Sequence, residues 1–174
     1  MKKCLIVYYS RSGENYVNGN IIDLDEGNTY HVAKFIQQYT NGDIFEIKPV
    51  EDYSNDYNIC KKQSKKELNN KIYPELKQYP KNLDEYDVIY IGYPNWWGTY
   101  PMVVASFLKD VKLYHKTIVP FCTHEGSGMG RSIADIKQAC PYNDILNGFD
   151  IRGSQAKHSQ FVVQQWLESI KEDI

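Results

Sequence analysis

The chain has 174 residues, 42% of them hydrophobic and 24% charged, with 20 Lys plus Arg against 22 Asp plus Glu and a net charge of −2. That length fits one domain spanning residues 1–174 with a single substantial core, and the composition excludes a disordered chain. The near-neutral balance excludes a nucleic-acid binder driven by bulk positive charge. Cys4, Cys60, Cys122 and Cys140 form no C-x-x-C pair, so neither zinc nor a dithiol motif is signalled. Free thiols suit a reducing cytoplasm. Met1-Lys2-Lys3 opens like a signal sequence, but the apolar run behind it is short and meets Arg11, which fits a strand better. No run approaches the length of a membrane span.

Strand one is expected at about Lys3 to Tyr9, a continuous apolar run that suits a strand buried on both faces. It ends abruptly at Ser10-Arg11-Ser12-Gly13. Residues Glu14 to Glu26, with Asn18-Gly19 inside, read as a loop or short hairpin inserted before the first helix. That helix starts near Asn28 or Thr29, either of which can be its N-cap, and carries Val32, Ala33, Ile36 and Tyr39 on one face. Asn41-Gly42 stops it, and strand two follows from Asp43 to Lys48.

Glu51 to Glu85 is polar and rich in Tyr and Lys; a solvated helix is expected within Lys61 to Lys77, with Leu68, Ile72 and Leu76 on a shallow buried face. Strand three is Tyr86 to Tyr93, followed by Pro94-Asn95-Trp96-Trp97-Gly98-Thr99-Tyr100-Pro101 and a helix from Met102 to Leu108. Strand four is Lys116 to Cys122, followed by Thr123-His124-Glu125-Gly126-Ser127-Gly128 and a helix from Arg131 to Ala139. A fifth strand is placed at Asn147 to Gly153. A last amphipathic helix, Ser159 to Lys171, carries Phe161, Val162, Trp166, Leu167 and Ile170.

Apolar strands alternating with helices imply a doubly wound α/β fold with a five-stranded parallel sheet, and right-handed crossovers favour the order 2-1-3-4-5. In that order the carboxyl ends of strands one, three and four lie side by side, with a ligand crevice at the switch point between strands one and three. The three unusual loops all fall there. The first offers hydroxyls and Arg11, and the free N–H groups of the following helix, at Asn28 and Thr29, attract an anion. The second offers Trp96 and Trp97 beside Gly98, which suit a flat ring or, alternatively, a partner's hot spot. The third offers Thr123, His124, Glu125 and glycines. An anion at one end and a flat conjugated ring at the other describe flavin mononucleotide.

Taken together, these motifs resemble the flavodoxin-like family, in a form with a long first loop, and the resemblance covers nearly the whole chain. It implies that Ser10, Arg11, Ser12, Gly13, Asn15, Asn28 and Thr29 hold the FMN phosphate. It also implies that Pro94, Asn95, Trp96, Trp97 and Gly98, with Thr123, His124, Glu125, Gly126 and Gly128, flank the isoalloxazine. A backbone carbonyl between Asn95 and Gly98 would accept from the reduced ring's N5–H. The family's compact phosphate loop is split here by the insertion, so its contacts are shared between Ser10–Gly13 and Asn28–Thr29, or taken over in part by Glu14 and Asn15. The implied function is low-potential electron transfer between redox partner proteins, with no nucleic acid and no membrane. An FMN-dependent NAD(P)H reductase of quinones or similar small acceptors is the alternative, since electron carriers of the family are strongly acidic and this chain is not.

Other signatures fail on spacing. Gly126-Ser127-Gly128-Met129-Gly130 follows strand four and lacks the G-x-G-x-x-G pattern, and no P-loop is present. Cys122 and Arg131 stand too far apart for a thiol phosphatase's short cradle. His124 with Glu125 can form an acid–base pair or simply edge the ring. The end of strand one lacks the acidic cluster a response regulator needs.

Overall fold

The computed structural model describes residues 2–174. In chain order it contains β1 (Cys4–Tyr8), β2 (Gly13–Val17), β3 (Asn20–Leu24), α1 (Asn28–Thr40), β4 (Asp43–Glu46), α2 (Tyr57–Asn70) and β5 (Val88–Pro94). There follow α3 (Met102–Asp110), β6 (Thr117–His124), α4 (Ser132–Ala139), β7 (Asp144–Ile145), β8 (Phe149–Arg152), α5 (Gly153–Ala156) and α6 (Gln160–Ser169). The main sheet runs β4-β1-β5-β6-β7, with β8 also on β6, and every pairing is parallel. This is the expected doubly wound order, with one refinement. The fifth position is filled by two short strands, not by one strand from Asn147 to Gly153. β7 pairs the start of β6 and β8 pairs its end. The chain steps out between them at Leu146–Gly148, where a Cβ on Gly148 would stand 2.3 Å from the Pro120 carbonyl oxygen.

The continuous apolar runs are explained by burial on both sides. Along β1, Leu5 and Val7 enter the core beneath α3, while Cys4, Ile6 and Tyr8 enter the core beneath α1 and α6. β5 divides likewise, Ile89, Ile91 and Tyr93 against Val88 and Tyr90. Gly92 interrupts its bulk because the Phe121 ring of β6 lies where a Cβ would stand, 2.1 Å away.

The segment inserted after β1 is a hairpin. β2 and β3 pair antiparallel through Asn18 and Gly19, both at positive φ (49° and 85°), the two-residue turn that an Asn-Gly pair favours. Helix α1 buries Val32, Ala33 and Ile36, but Tyr39 is exposed. Its N-cap is Gly27, not Asn28 or Thr29, and no side chain of the cap residue bonds the helix. The capping oxygen comes instead from the preceding loop: Ser10 Oγ accepts from the Tyr30 N–H at 3.0 Å.

Helix α2 begins earlier than expected, capped by the Asp56 carboxylate on the Ile59 N–H at 2.8 Å. It buries Cys60, Ser64 and Glu67; Ile72 is exposed beyond its end, and Leu76 is buried in an extended segment bridged to Pro49. Its inward face is largely polar because its partners are polar. The Trp97 indole N–H donates to Ser64 Oγ at 3.0 Å, and the Tyr53 hydroxyl donates to Glu67 at 2.7 Å. In α6 the buried residues are Val163 and Leu167, while Phe161 and Val162 face outward. Among the described residues no helix is long and apolar enough to cross a membrane.

Candidate functional site

At the carboxyl edge of the sheet, β1, β5 and β6 deliver their loops to one crevice of about 140 Å³. Arg11, Asn28 and Thr29 line one end; Pro94, Asn95, Trp96, Thr123, His124 and Glu125 line the rest, with Asn15 from the hairpin. Ten of the residues expected at the site therefore meet at a single concavity.

The α1 end is built by close approach of backbone to backbone. A Cβ on Gly27 would lie 2.2 Å from Ser10 Oγ, 2.6 Å from the Arg11 oxygen and 2.7 Å from the Arg11 nitrogen. Only glycine lets the helix start press so tightly on the loop after β1. Thr29, in the first turn, is 1% exposed and shares a hydrogen bond of 2.8 Å with the Thr123 hydroxyl, which ties α1 to the end of β6. First-turn N–H groups have no partner inside their own helix, so this end presents positive partial charge to the crevice.

Arg11 is held more firmly than its place in an exposed turn suggests. Its guanidinium donates to the carbonyls of Glu14, Ser54 (2.6 Å) and Asn55 (2.9 Å), stitching the hairpin to the loop before α2. Its Nε is buried and has no partner. Those bonds go to neutral carbonyls, and among the described residues no carboxylate pairs with the guanidinium, so its positive charge remains available to an anion. Asn15 donates to the Arg11 and Gly13 carbonyls at 3.0 and 3.1 Å and closes the base of the hairpin. Gly13, at φ 80°, lies against Asn55. Ser12 is exposed on the far side of the loop, in a hollow with Asp52 and Lys48.

Asn95 locks the other two loops together. Its backbone N–H donates to the Thr123 carbonyl at 2.8 Å, its side-chain NH₂ donates to the Gly128 carbonyl at 2.7 Å, and its side-chain oxygen accepts from the Gly98 N–H at 2.9 Å. Trp96 and Thr99 close a tight turn through Trp97 and Gly98, at φ 59° and 84°. An indole-bearing residue rarely takes the left-handed region, and Trp97 is kept there by the Ser64 bond. The two tryptophans part company. Trp96 faces the crevice, edge-on to Tyr9 (5.6 Å) and Tyr53 (5.1 Å), whereas Trp97 lies on α2 with the Lys65 ammonium 4.4 Å from its ring centre. The Gly98 carbonyl accepts from the Arg131 N–H at 2.8 Å and the Trp96 carbonyl from Thr99. Among the described residues no backbone N–H donates to the carbonyls of Asn95 and Trp97.

In the third loop, His124 Nδ1 accepts from the Gly126 N–H at 2.8 Å, which places the ring proton on Nε2, donating to Asp150 at 2.8 Å. The Glu125 carboxylate accepts from the Asn18 N–H at the hairpin tip (3.1 Å) and from the Ser154 N–H (3.3 Å). His124 and Glu125 thus each face a different partner and form no pair with one another. Gly126, at φ 124°, lies beneath the Arg152 guanidinium.

Three lining residues escaped the sequence reading: Tyr16, Tyr57 and Gly153. Tyr16 and Tyr57 stack at 6.2 Å and 28°, and Glu14 accepts the Tyr57 N–H at 2.9 Å, so the hairpin docks on α2 and walls the crevice. The Asn-Gly turn signalled the hairpin itself, but nothing local signalled where it docks. Burial lifts the Tyr57 hydroxyl on the crevice wall, and that of Tyr9 behind it, above the ordinary phenol range and pushes the nearby Cys60 thiol up to about 11, which keeps these groups uncharged.

The parallel sheet and the three-loop crevice at its switch point define a flavodoxin-like α/β protein. A family model described as Flavodoxin matches residues 23–170, and the chain belongs to the flavodoxin family. The matched span begins within β3, so the first half of the split loop lies ahead of it. Among solved structures, the chain is similar to a candidate flavoprotein from Bacteroides eggerthii DSM 20697, at 27% identity over 98% of this chain and 99% of that one, with a TM-score of 0.77. A flavoprotein in complex with FMN from Lactobacillus acidophilus NCFM shares the fold at 22% identity, covering 93% and 99% of the two chains, with a TM-score of 0.66. Oxidised Flavodoxin 2 from Bacillus cereus shares it at 14% identity, covering 99% of each chain, with a TM-score of 0.54. No curated protein matches the chain.

Proposed function

We propose that this protein binds FMN in the three-loop crevice and transfers electrons at low potential between redox partner proteins. One observation carries the reading: a helix start and an arginine with no acidic partner stand at one end of a crevice whose other end is Trp96 and loop backbone. The donor set suits a phosphate dianion at the first end. Thr29 and Asn28 would offer first-turn N–H groups, Ser10 its hydroxyl and Arg11 its charge, with Gly13 and Asn15 shaping the loop, while Ser12, on the far side of that loop, would take no part. At the second end Pro94 to Gly98 and Thr123 to Gly128 would border the ring. Trp96 would exclude water there, and poor solvation of a charged reduced ring lowers its potential. Bound FMN supplies a ring able to accept one electron or a hydride. Asn95 holds both bordering loops, and its own carbonyl or that of Trp97 would be free to accept a proton donor at the ring edge. The four free thiols fit a reducing cytoplasm.

Titrating the FMN-free protein with FMN tests this. One-to-one quenching of flavin fluorescence is expected; absence of binding at large excess would overturn the reading. A second reading, an FMN-dependent NAD(P)H reductase of quinones or similar acceptors, is favoured by the net charge of −2 and by the hairpin that walls the crevice. Stopped-flow mixing of the FMN-loaded protein with NADPH separates the two, because rapid bleaching belongs only to the reductase.

A further inference from the structure

A second hollow, of about 170 Å³, opens beside the crevice, between the first turns of α2 and the Trp96–Trp97 turn. Its walls are aromatic, with Tyr57, Trp96 and Trp97, and its charged residues are Arg11 and Lys61. No acidic side chain lines it. Among the described residues neither cation has a carboxylate partner, since the ion pairs found there lie elsewhere. Glu14, on the adjoining hairpin, directs its carboxylate to the Tyr57 N–H. Lys65, outside the hollow, adds a further ammonium over the Trp97 ring, with Lys61 6.0 Å from the same ring. With Arg11 turned to the phosphate of bound FMN, Lys61 is the charge left to this hollow, and an uncompensated cation in a concave site raises the potential for an anion beyond that of a flat surface. Aromatic faces and edges supply the stacking area for a flat ligand. The left-handed Trp97 is a further sign of construction, for backbone strain of this kind persists only where the surroundings impose it.

We propose that this hollow binds a planar aromatic anion, a one- or two-ring carboxylate or sulfonate, its rings between Tyr57 and the tryptophans and its charge toward Lys61. The site shares Arg11, Asn15, Tyr57, Asn95 and Trp96 with the candidate cofactor crevice. Its place beside a flavin rests on the FMN reading; its capacity to bind an anion does not. It is a ligand pocket and not a protein-docking face, because its cations flank a cavity instead of spreading over a plane.

Isothermal titration of 2-naphthoate into the FMN-loaded protein tests the proposal, with neutral 2-naphthamide as the uncharged analogue. Saturable 1:1 binding of the acid is expected. It should weaken with added salt, fall roughly five- to tenfold in K61Q through loss of one charge-assisted contact, and hold in K62Q, whose lysine lies outside the hollow. K61Q should bind FMN like wild type. Equal affinity for acid and amide, unchanged binding in K61Q, no saturable binding, or release of FMN by naphthoate would each overturn the proposal. If the wild type takes up no FMN at all, the cofactor reading fails separately, and tryptophan fluorescence of the FMN-free protein still reads naphthoate in this hollow.

Discussion

Replacing Gly27 by alanine is the sharpest probe of the α1 end of the site. Gly27 has φ −67° and ψ 153°, which any residue adopts, so the substitution meets no backbone strain and acts through space alone. The new methyl would stand 2.2 Å from Ser10 Oγ and 2.6 and 2.7 Å from the Arg11 oxygen and nitrogen. Ser10 can rotate away, but the Arg11 backbone cannot, so helix and loop must separate. Forced overpacking of this kind costs ~1–3 kcal/mol. Loss of the Ser10–Tyr30 hydrogen bond adds about 1 kcal/mol. At a urea m-value of ~2 kcal/mol/M, the midpoint should fall by about 1–2 M. FMN affinity should fall at least about tenfold, because the helix start and the loop would no longer meet at one anion. Adding S10A should restore only part of the stability, since the two backbone contacts remain. Urea unfolding followed by circular dichroism and an FMN titration measure both effects. A G27A protein with wild-type midpoint and affinity would refute the close-packed seat.

The Thr29–Thr123 hydroxyl pair calls for a double-mutant cycle. T29V and T123V should each lose ~1–3 kcal/mol by leaving the other hydroxyl buried and unpaired, and the double variant should lose less than their sum; strict additivity would count against the pair. E125A frees the Asn18 N–H at the hairpin tip. Its amide exchange should quicken about tenfold for ~1–2 kcal/mol of lost charged hydrogen bonding, with unchanged exchange showing that the hairpin is held elsewhere. W96F should alter the absorbance of bound FMN while W97F leaves it nearly unchanged, because only Trp96 faces the crevice; the opposite pattern would reverse their roles. Burial raises the Glu67 carboxyl above its ordinary value, against lowering hydrogen bonds from Tyr53 and Gln63. The folded chain therefore keeps that proton to higher pH than the unfolded chain. The stability it confers is complete below the ordinary carboxyl range and is lost as pH rises through the raised folded value. E67Q should lack this component, and parallel pH profiles of urea midpoints for variant and wild type would refute it.

The strands at the centre of the sheet were legible because burial on two faces demands an unbroken apolar run, and β1, β5 and β6 each carry one. The crevice was legible for the same reason: the ends of those strands fix where their loops go. What the sequence concealed was set by contacts between distant residues. The inward face of α2 is Cys60, Ser64 and Glu67, and a polar face reads as solvated until its partners, Trp97 and Tyr53, are placed against it. Arg11 was expected at a phosphate, but its anchoring was not legible, because the hairpin brings Glu14 and the segment at Ser54–Asn55 around it from a distance. Phe161 and Val162 fitted the apolar stripe of α6, yet the sheet reaches only as far as Val163 and Leu167.

The interruption of the fifth strand bears on how copies of this chain tolerate crowding. An outermost strand invites a foreign segment to continue the ladder, and the risk grows with its length. Here one rim of the sheet is cut into runs of two and four residues, and the opposite rim, β4, is also only four residues long. Neither rim offers a long template for a stranger's backbone, so the main sheet is guarded against fibrous association by the brevity of its borders.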